Sequence, residues 1–226
     1  MPSCLIVGAS RGIGREFVAQ YLKDGWTVYA TARKDADIAD LTEAGATAFG
    51  ADAADEKSLK SLAAKLPGDL DLVVHNAGIS RDTREGPMAD IVPEEWMETM
   101  RVNALGPILS ARQLTPKLKR PGGTFAVLSS LMGSVADNGW GGFWSYRMSK
   151  AAANMAVKNL SLQLKEDGIR VVALHPGHVQ TDMGGSSAPV TPAESVSGLR
   201  ETLSQTAAGQ HDDELFRDYK GRSLPW

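Results

Sequence analysis

The chain has a single cysteine, Cys4, in 226 residues. An internal disulfide is therefore excluded, and with it the disulfide-stapled scaffolds of small secreted domains. Cys4 lies in the apolar run C-L-I-V, where a thiol reads as packing and not as a nucleophile. Histidines are also few, four in number and scattered. With one cysteine they give no metal-ligand spacing, so no metal site is expected. No apolar run approaches the roughly 18 residues of a membrane-spanning helix. No charged start leads into an apolar stretch and a cleavage site, so no secretory signal is expected. Charge of one sign is not in excess. Lys and Arg number 24 against 27 Asp and Glu, for a net charge of −3 and a pI near 5.8. That balance argues against nucleic acid or an anionic membrane as partner. Repeats, low-complexity tracts and linkers are absent as well. What remains is a soluble, cytoplasmic protein, read as one domain over residues 1–226.

The chain does hold enough apolar material, 42%, for a large core. Short apolar runs alternate with helical patterns. Strands are expected at 4–7, 26–31, 46–50, 70–75, 124–129 and 169–175, with L-F-R-D-Y near the end as a last edge strand. Helices are expected at 15–24, 36–44, 56–66, 93–118, 145–166 and 192–207; Gly25, Gly45, Pro67 and Gly168 act as stops. Residues 78–93 form a polar connection. Such alternation predicts an α/β fold, a doubly wound parallel sheet of about seven strands with helices on both faces. Runs such as V-V-A-L and F-A-V-L are apolar on both sides, as buried parallel strands require. In such sheets ligands bind just beyond the carboxyl ends of the strands.

Glycines and small polar residues sit at those ends. After strand one comes G-A-S-R-G-I-G, where Gly8, Gly12 and Gly14 permit a tight turn and close approach to a phosphate at a helix N-terminus. The spacing is Gly-x-x-x-Gly-x-Gly, not the commoner Gly-x-Gly-x-x-Gly. After strand two, where NAD-binding folds place an acid for the ribose hydroxyls, stands T-A-R-K. Arg33, with Arg11 in the glycine loop, suits a 2′-phosphate and favours NADP(H) over NAD(H). After strand three, Asp52 either accepts from the adenine amino group or caps the next helix. After strands four, five and six stand H-N-A-G, S-S-L-M-G and H-P-G-H-V-Q-T-D-M. Near the middle, Tyr146 and Lys150 lie four apart on a helix, hence on one face.

With these residues in order, the chain resembles a short-chain dehydrogenase/reductase with a Rossmann-type fold. The motifs are G-A-S-R-G-I-G (8–14), N-A-G (76–78), Asn103 in R-V-N-A, Ser130 in S-S-L-M-G, Y-R-M-S-K (146–150) and P-G-H-V-Q-T (176–181). Y-R-M-S-K-A-A-A-N-M, L-H-P-G-H-V-Q-T-D-M-G-G and Y-K-G-R-S-L-P-W are similar to the C-factor/sniffer-type carbonyl reductases, a small-subunit branch that usually uses NADPH. Val7 and His75 depart from the usual Thr and Asn, at positions that mainly brace loops. The stretch from Ser130 to Tyr146 is a few residues longer than in many relatives, and the excess falls in N-G-W-G-G-F-W.

The resemblance implies reduction of a carbonyl to an alcohol by hydride transfer from NADP(H). Tyr146 would be the general acid and base, its phenol lowered from a pKa near 10 toward working pH by the Lys150 ammonium and the oxidised nicotinamide ring together. Ser130 would bind the substrate oxygen, and Gly133 favours Ser130 over Ser129 for that role. Asn103 would anchor a water linking Lys150 to solvent. Lys150, Asn76, Ala77 and Gly78 would meet the cofactor ribose, and Val179 and Thr181 the carboxamide. Ser10, Ile13, Ala53, Pro176 and Gly177 would complete the cofactor contacts, and a homodimer or homotetramer is implied. His175 and His178 read as rim or packing residues. Trp140, Phe143, Trp144, Met132 and Met183 suit either an apolar substrate wall or an oligomer contact. A second reading is a regulatory or signalling protein that binds the dinucleotide with little turnover; a third runs the reaction from the alcohol.

Overall fold

A computed structural model describes residues 1–81, 88–210 and 213–226. Residues 82–87, within the expected polar connection, and residues 211–212 lie outside the described residues. Seven strands form one sheet among the described residues: β1 (Ser3–Val7), β2 (Thr27–Ala32), β3 (Thr47–Gly50), β4 (Leu72–His75), β5 (Thr124–Leu128), β6 (Arg170–His175) and β7 (Phe216–Asp218). The order is β3-β2-β1-β4-β5-β6-β7 and every pair is parallel. The expected edge strand is thus β7. The order reverses between β1 and β4, which opens a crevice at their carboxyl ends.

Alternation along the strands explains the layers. In β1, Leu5 and Val7 point into one core with Leu59, Leu62, Leu114, Phe125 and Val157. Cys4 and Ile6 point into the other, with Phe17, Val18, Leu41, Val196 and Leu199. Cys4 is fully buried, and burial raises its thiol far above the ordinary range, so it packs and does not react. The second core is covered by α1 (Gly12–Lys23), α2 (Asp35–Glu43) and α7 (Pro192–Ala207). The first is covered by α3 (Glu56–Lys65), α5 (Gly106–Leu114) and α6 (Trp144–Gln163).

One expected helix is interrupted. Residues 93–118 begin as α4 (Pro93–Met100), widen into a π turn at Arg101–Leu105, continue as α5 and end in a 3-10 turn at Thr115–Lys117. Pro107 supplies the reason, since it has no N–H to return to the carbonyl four residues back, that of Asn103. The Gly106 N–H bonds instead to the Arg101 carbonyl, five residues back. Asn103 sits inside that turn, and π turns are frequent at functional sites.

Candidate active site

The expected cofactor residues, except the buried Gly14, line one cleft of about 1070 Å³ over the carboxyl ends of β1, β4, β5 and β6. At the crevice the backbones close on one another. A Cβ added at Gly14 would lie 2.2 Å from the Gly8 carbonyl oxygen and 2.6 Å from Asn76 Nδ2. One added at Gly8, where φ is +85°, would lie 2.9 Å from the Ala77 backbone. Asn76 Nδ2 donates to the Gly8 carbonyl at 2.6 Å and ties the two turns together. Helix α1 begins at Gly12 with no side-chain cap and no acid in its first turn. Its N-terminal end thus offers N–H groups and positive dipole to the cleft, which suits a pyrophosphate.

Arg11, Arg33 and Asp52 all line this end of the cleft. Arg33 is exposed just past β2. Arg11 pairs with Asp182 across the cleft, an exposed contact of little energetic weight. Asp52 accepts from the Ala54 N–H at 2.8 Å. It does not cap α3; Asp55 does, accepting from Lys57 at 3.0 Å. Ser10, Ile13, Ala53, Ala77, Gly78, Pro176, Gly177, Val179 and Thr181 line the same cleft.

The cleft deepens where β5 ends and α6 begins. Ser129 and Ser130 point different ways, as neighbours on extended backbone do. The Ser129 hydroxyl is buried and donates to Asn154 Oδ1 at 2.5 Å. The Ser130 hydroxyl accepts from the Met132 N–H at 3.1 Å and shares a hydrogen bond with the Tyr146 phenol. Gly133 has its own reason: a Cβ there would lie 2.7 Å from the Lys150 backbone carbon, so the Ser130 turn rests directly on α6.

Lys150 is buried, donates from Nζ to the Leu128 carbonyl at 2.8 Å and lies 5.7 Å from the Tyr146 ring centroid. Burial lowers its ammonium to about 8. The Tyr146 phenol is pushed up to about 12 by burial, against a downward pull from the Ser130 hydroxyl. The influences on the phenol are burial and the Ser130 hydroxyl, and the Lys150 charge is not among them. Asn103 holds Ile79 from both sides, accepting its N–H at 2.8 Å and donating to its carbonyl at 2.7 Å. Its remaining amide hydrogen goes to Ser149 Oγ at 3.0 Å. The side chain therefore clamps the loop after β4 onto α6 and has no donor left for a water.

Residues 3–190 match the family model of the short chain dehydrogenases. The chain belongs to the short chain dehydrogenase family. It is 38% identical over 160 residues to the C-signal of Myxococcus xanthus, covering 70% of this chain and 94% of that protein. It is 35% identical over 230 residues to a 1-hydroxy-2-glutathionyl-2-methyl-3-butene dehydrogenase of Rhodococcus sp., covering 96% of this chain and 99% of that one. Among solved structures, a putative short-chain dehydrogenase/reductase from Burkholderia multivorans with bound NADP aligns over 100% of this chain and 99% of its own, with a TM-score of 0.91 and 31% identity. The carbonyl reductase Sniffer of D. melanogaster aligns over 100% of both chains, with a TM-score of 0.87 and 28% identity.

In this short chain dehydrogenase the apolar residues singled out in the sequence separate at the rim of the cleft. Met132, Trp140, Phe143 and Met183 line the cleft. Trp144 does not; it is exposed on the same stripe of α6 as Met148, Met155 and Leu162. His175 and His178 both lie at the cleft. Burial holds His175 down to about 4, and His178 Nε2 bonds the Gly184 carbonyl at 2.7 Å. His75 lies behind the cleft, with Nδ1 2.9 Å from the Ser110 hydroxyl of α5, which braces the end of β4. Burial and then the Lys150 charge hold it down to about 3.

Sequence reasoning passed over Arg147. It is only 8% exposed, yet lines the cleft between Tyr146 and Lys150. A signal was available: a charged residue one place from Tyr146, in the turn of helix that also carries Lys150. It also passed over Asn154, which takes up the Ser129 hydroxyl. No group of three or more potential metal ligands occurs among the described residues. No helix among them is long and apolar enough to cross a membrane.

Proposed function

We propose that the chain is an NADP(H)-dependent carbonyl reductase in which Tyr146 is the general acid and base. One observation carries this reading: Ser130, Tyr146 and Lys150 converge in the cleft that also holds the glycine turn and Arg33. The fit to a dinucleotide rests on the uncapped start of α1, the close backbone packing at Gly8 and Gly14, and the arginines beyond β1 and β2. NADP(H), bound there, supplies or accepts the hydride.

The residues then divide the remaining work. Arg33 and Arg11 hold the 2′-phosphate, Arg11 leaving Asp182 to do so. Asp52 and Ala53 meet the adenine end. Gly8, Ser10, Gly12, Ile13 and Gly14 cradle the pyrophosphate. Asn76, Ala77, Gly78 and Lys150 meet the ribose, and Pro176, Gly177, Val179 and Thr181 hold the carboxamide end. Ser130 donates to the carbonyl oxygen as charge develops there. Tyr146, protonated at neutral pH with its phenol near 12, gives its proton to that oxygen. Lys150, still largely an ammonium at pH 7, then steadies the phenolate. A water reaching this relay would be held by the main-chain carbonyl of Asn103, since its amide is committed.

A resting phenol is the form that reduction needs; oxidation of an alcohol needs the phenolate. That supports the reductive direction. The complete set of Asn103, Ser130, Tyr146 and Lys150 supports turnover over pure sensing. Similarity to the C-signal supports a second reading, in which signalling depends on the bound dinucleotide or on the product. The apolar stripe of α6, with Met97, Leu105 and Ile108 exposed on α4 to α5, supports a homodimer or homotetramer. The lone, buried cysteine supports a cytoplasmic protein, and the shared sheet supports one domain over residues 1–226.

The test is fluorescence titration with NADPH and NADH, followed by turnover on diketones, quinones and aldehydes. Tight NADPH binding with turnover is the expected result. Failure of every carbonyl at saturating NADPH would turn the reading toward signalling.

A further inference from the structure

The rim loop has an unusual backbone. Gly141, Gly142 and Phe143 are consecutive left-handed residues, with φ of 70°, 69° and 48°. Phe143 has a side chain, so this conformation is unfavourable there and needs support from its surroundings. Arg147 supplies that support from the first turn of α6. Its main-chain N–H bonds the Phe143 carbonyl at 2.8 Å. Its Nε donates to the Gly141 carbonyl at 3.1 Å, and Nη1 reaches the Met132 carbonyl at 3.4 Å. The guanidinium carbon lies 4.1 Å from the Trp140 ring centroid. One buried side chain therefore joins the loop bearing Trp140 and Phe143 to the turn bearing Ser130. Trp140 itself stays 51% exposed and meets Phe143 edge-on, with ring centroids 6.0 Å apart.

We propose that Arg147 is a positioning residue that sets substrate choice. By holding Trp140 and the Met132 turn, it builds an aromatic wall beside Ser130 and Tyr146 that selects flat, apolar carbonyl compounds over small aliphatic ones. A guanidinium suits this place because its planar fork bonds two carbonyls and stacks on an indole at once; a lysine ammonium does not reproduce that. The substrate class rests on the reductase reading above, whereas the holding of the wall does not.

The test uses Arg147→Gln and Arg147→Lys in the full chain. Acrylamide quenching of Trp140 fluorescence is obtained by subtracting the matching Trp140→Phe protein. Quenching is expected to rise in both Arg147 variants, and an unchanged value would overturn the holding role. With NADPH saturating, the ratio of kcat/KM for a phenyl diketone over that for a short aliphatic aldehyde is expected to fall about tenfold in Arg147→Gln, and less in Arg147→Lys. Trp140→Ala should lower the same ratio, and Trp140→Ala with Arg147→Gln should lower it no further, because the arginine acts through the indole. An unchanged ratio, or fully additive losses, would overturn the proposal. Should Arg147→Gln not fold, Arg147→Lys carries both measurements. A wild-type protein that binds NADPH yet turns over no carbonyl would sink the substrate half together with the reductase reading, and quenching would still decide the holding role.

Discussion

At the Gly8 end of the cleft, a methyl group added at Gly14 would lie 2.2 Å from a carbonyl oxygen; at the Trp140 end, one added at Gly139 or Gly141 meets nothing within 4 Å. The cofactor end is backbone packed on backbone, with φ near +85° at Gly8 enforcing the turn. The rim is an open loop held from outside by the side chain of Arg147. Close backbone packing admits few sequences and so leaves a recognisable glycine pattern. A loop held by one side chain tolerates many sequences, and its residues announce little before the chain is folded. The same contrast suits a common cofactor at one end and a variable substrate at the other.

Tyr146 stands where the two ends meet, and its loss should give the largest effect. Tyr146→Phe is expected to lower kcat by about 10²–10⁴-fold while leaving NADPH affinity intact. Stopped-assay turnover paired with fluorescence titration would read both, and near-normal turnover would remove Tyr146 from the acid–base role. At the cofactor end, Arg33→Ala should weaken NADPH about tenfold or more with little change for NADH, the scale of one charge-assisted hydrogen bond. An unchanged ratio of the two dissociation constants would show that Arg33 is solvated surface charge.

The packing contrast can be broken directly. Gly14→Ala is expected to destabilise the fold by about 1–3 kcal/mol, as overpacking does, and to weaken NADPH. Gly139→Ala should move stability by no more than about 0.5 kcal/mol. Comparable urea midpoints for the two variants would contradict the difference in packing.

The last effect concerns acid stability. His75 and His175 are held down to about 3 and about 4, below the ordinary 6.5. Between those values and about 6.5 the unfolded chain binds protons that the folded chain does not, so stability falls as pH drops through that window and is full above it. Each histidine adds a slope of up to about 1.4 kcal/mol per pH unit. His75→Asn should flatten the acid limb of a urea-midpoint series between pH 6.5 and pH 4. An unchanged limb would mean that His75 is already charged in the folded protein.

Legibility in the sequence followed the same division. Strand and helix positions were readable because two-sided apolar runs and glycine stops are local properties, and β1 to β7 appear where those runs predict them. The break at Asn103 was missed although Pro107 stands in plain view, because the helical pattern on either side continues unbroken. The choice of Ser130 over Ser129 was readable only as likeness; its physical cause is Asn154, 25 residues away, which draws the Ser129 hydroxyl inward. The electrostatics of Tyr146 and Lys150 were not readable at all. Spacing puts the two groups on one face of α6, but burial and the Leu128 carbonyl decide where the ammonium points and how the phenol titrates.

Local chemistry alone, written in residue order, settled the alternation of strands and helices, the glycine turn, the basic residues beyond β1 and β2 and the Tyr–Lys pair. Those features depend on periodicity, φ freedom and formal charge, which a residue carries wherever it is placed. The tertiary structure alone decided where each serine hydroxyl is held, that Trp140 lines the cleft while Trp144 lies outside, and that Arg147 joins two segments nine residues apart at Met132 and Gly141. Those depend on distance and burial, and both come into being only when separate stretches of chain are brought together.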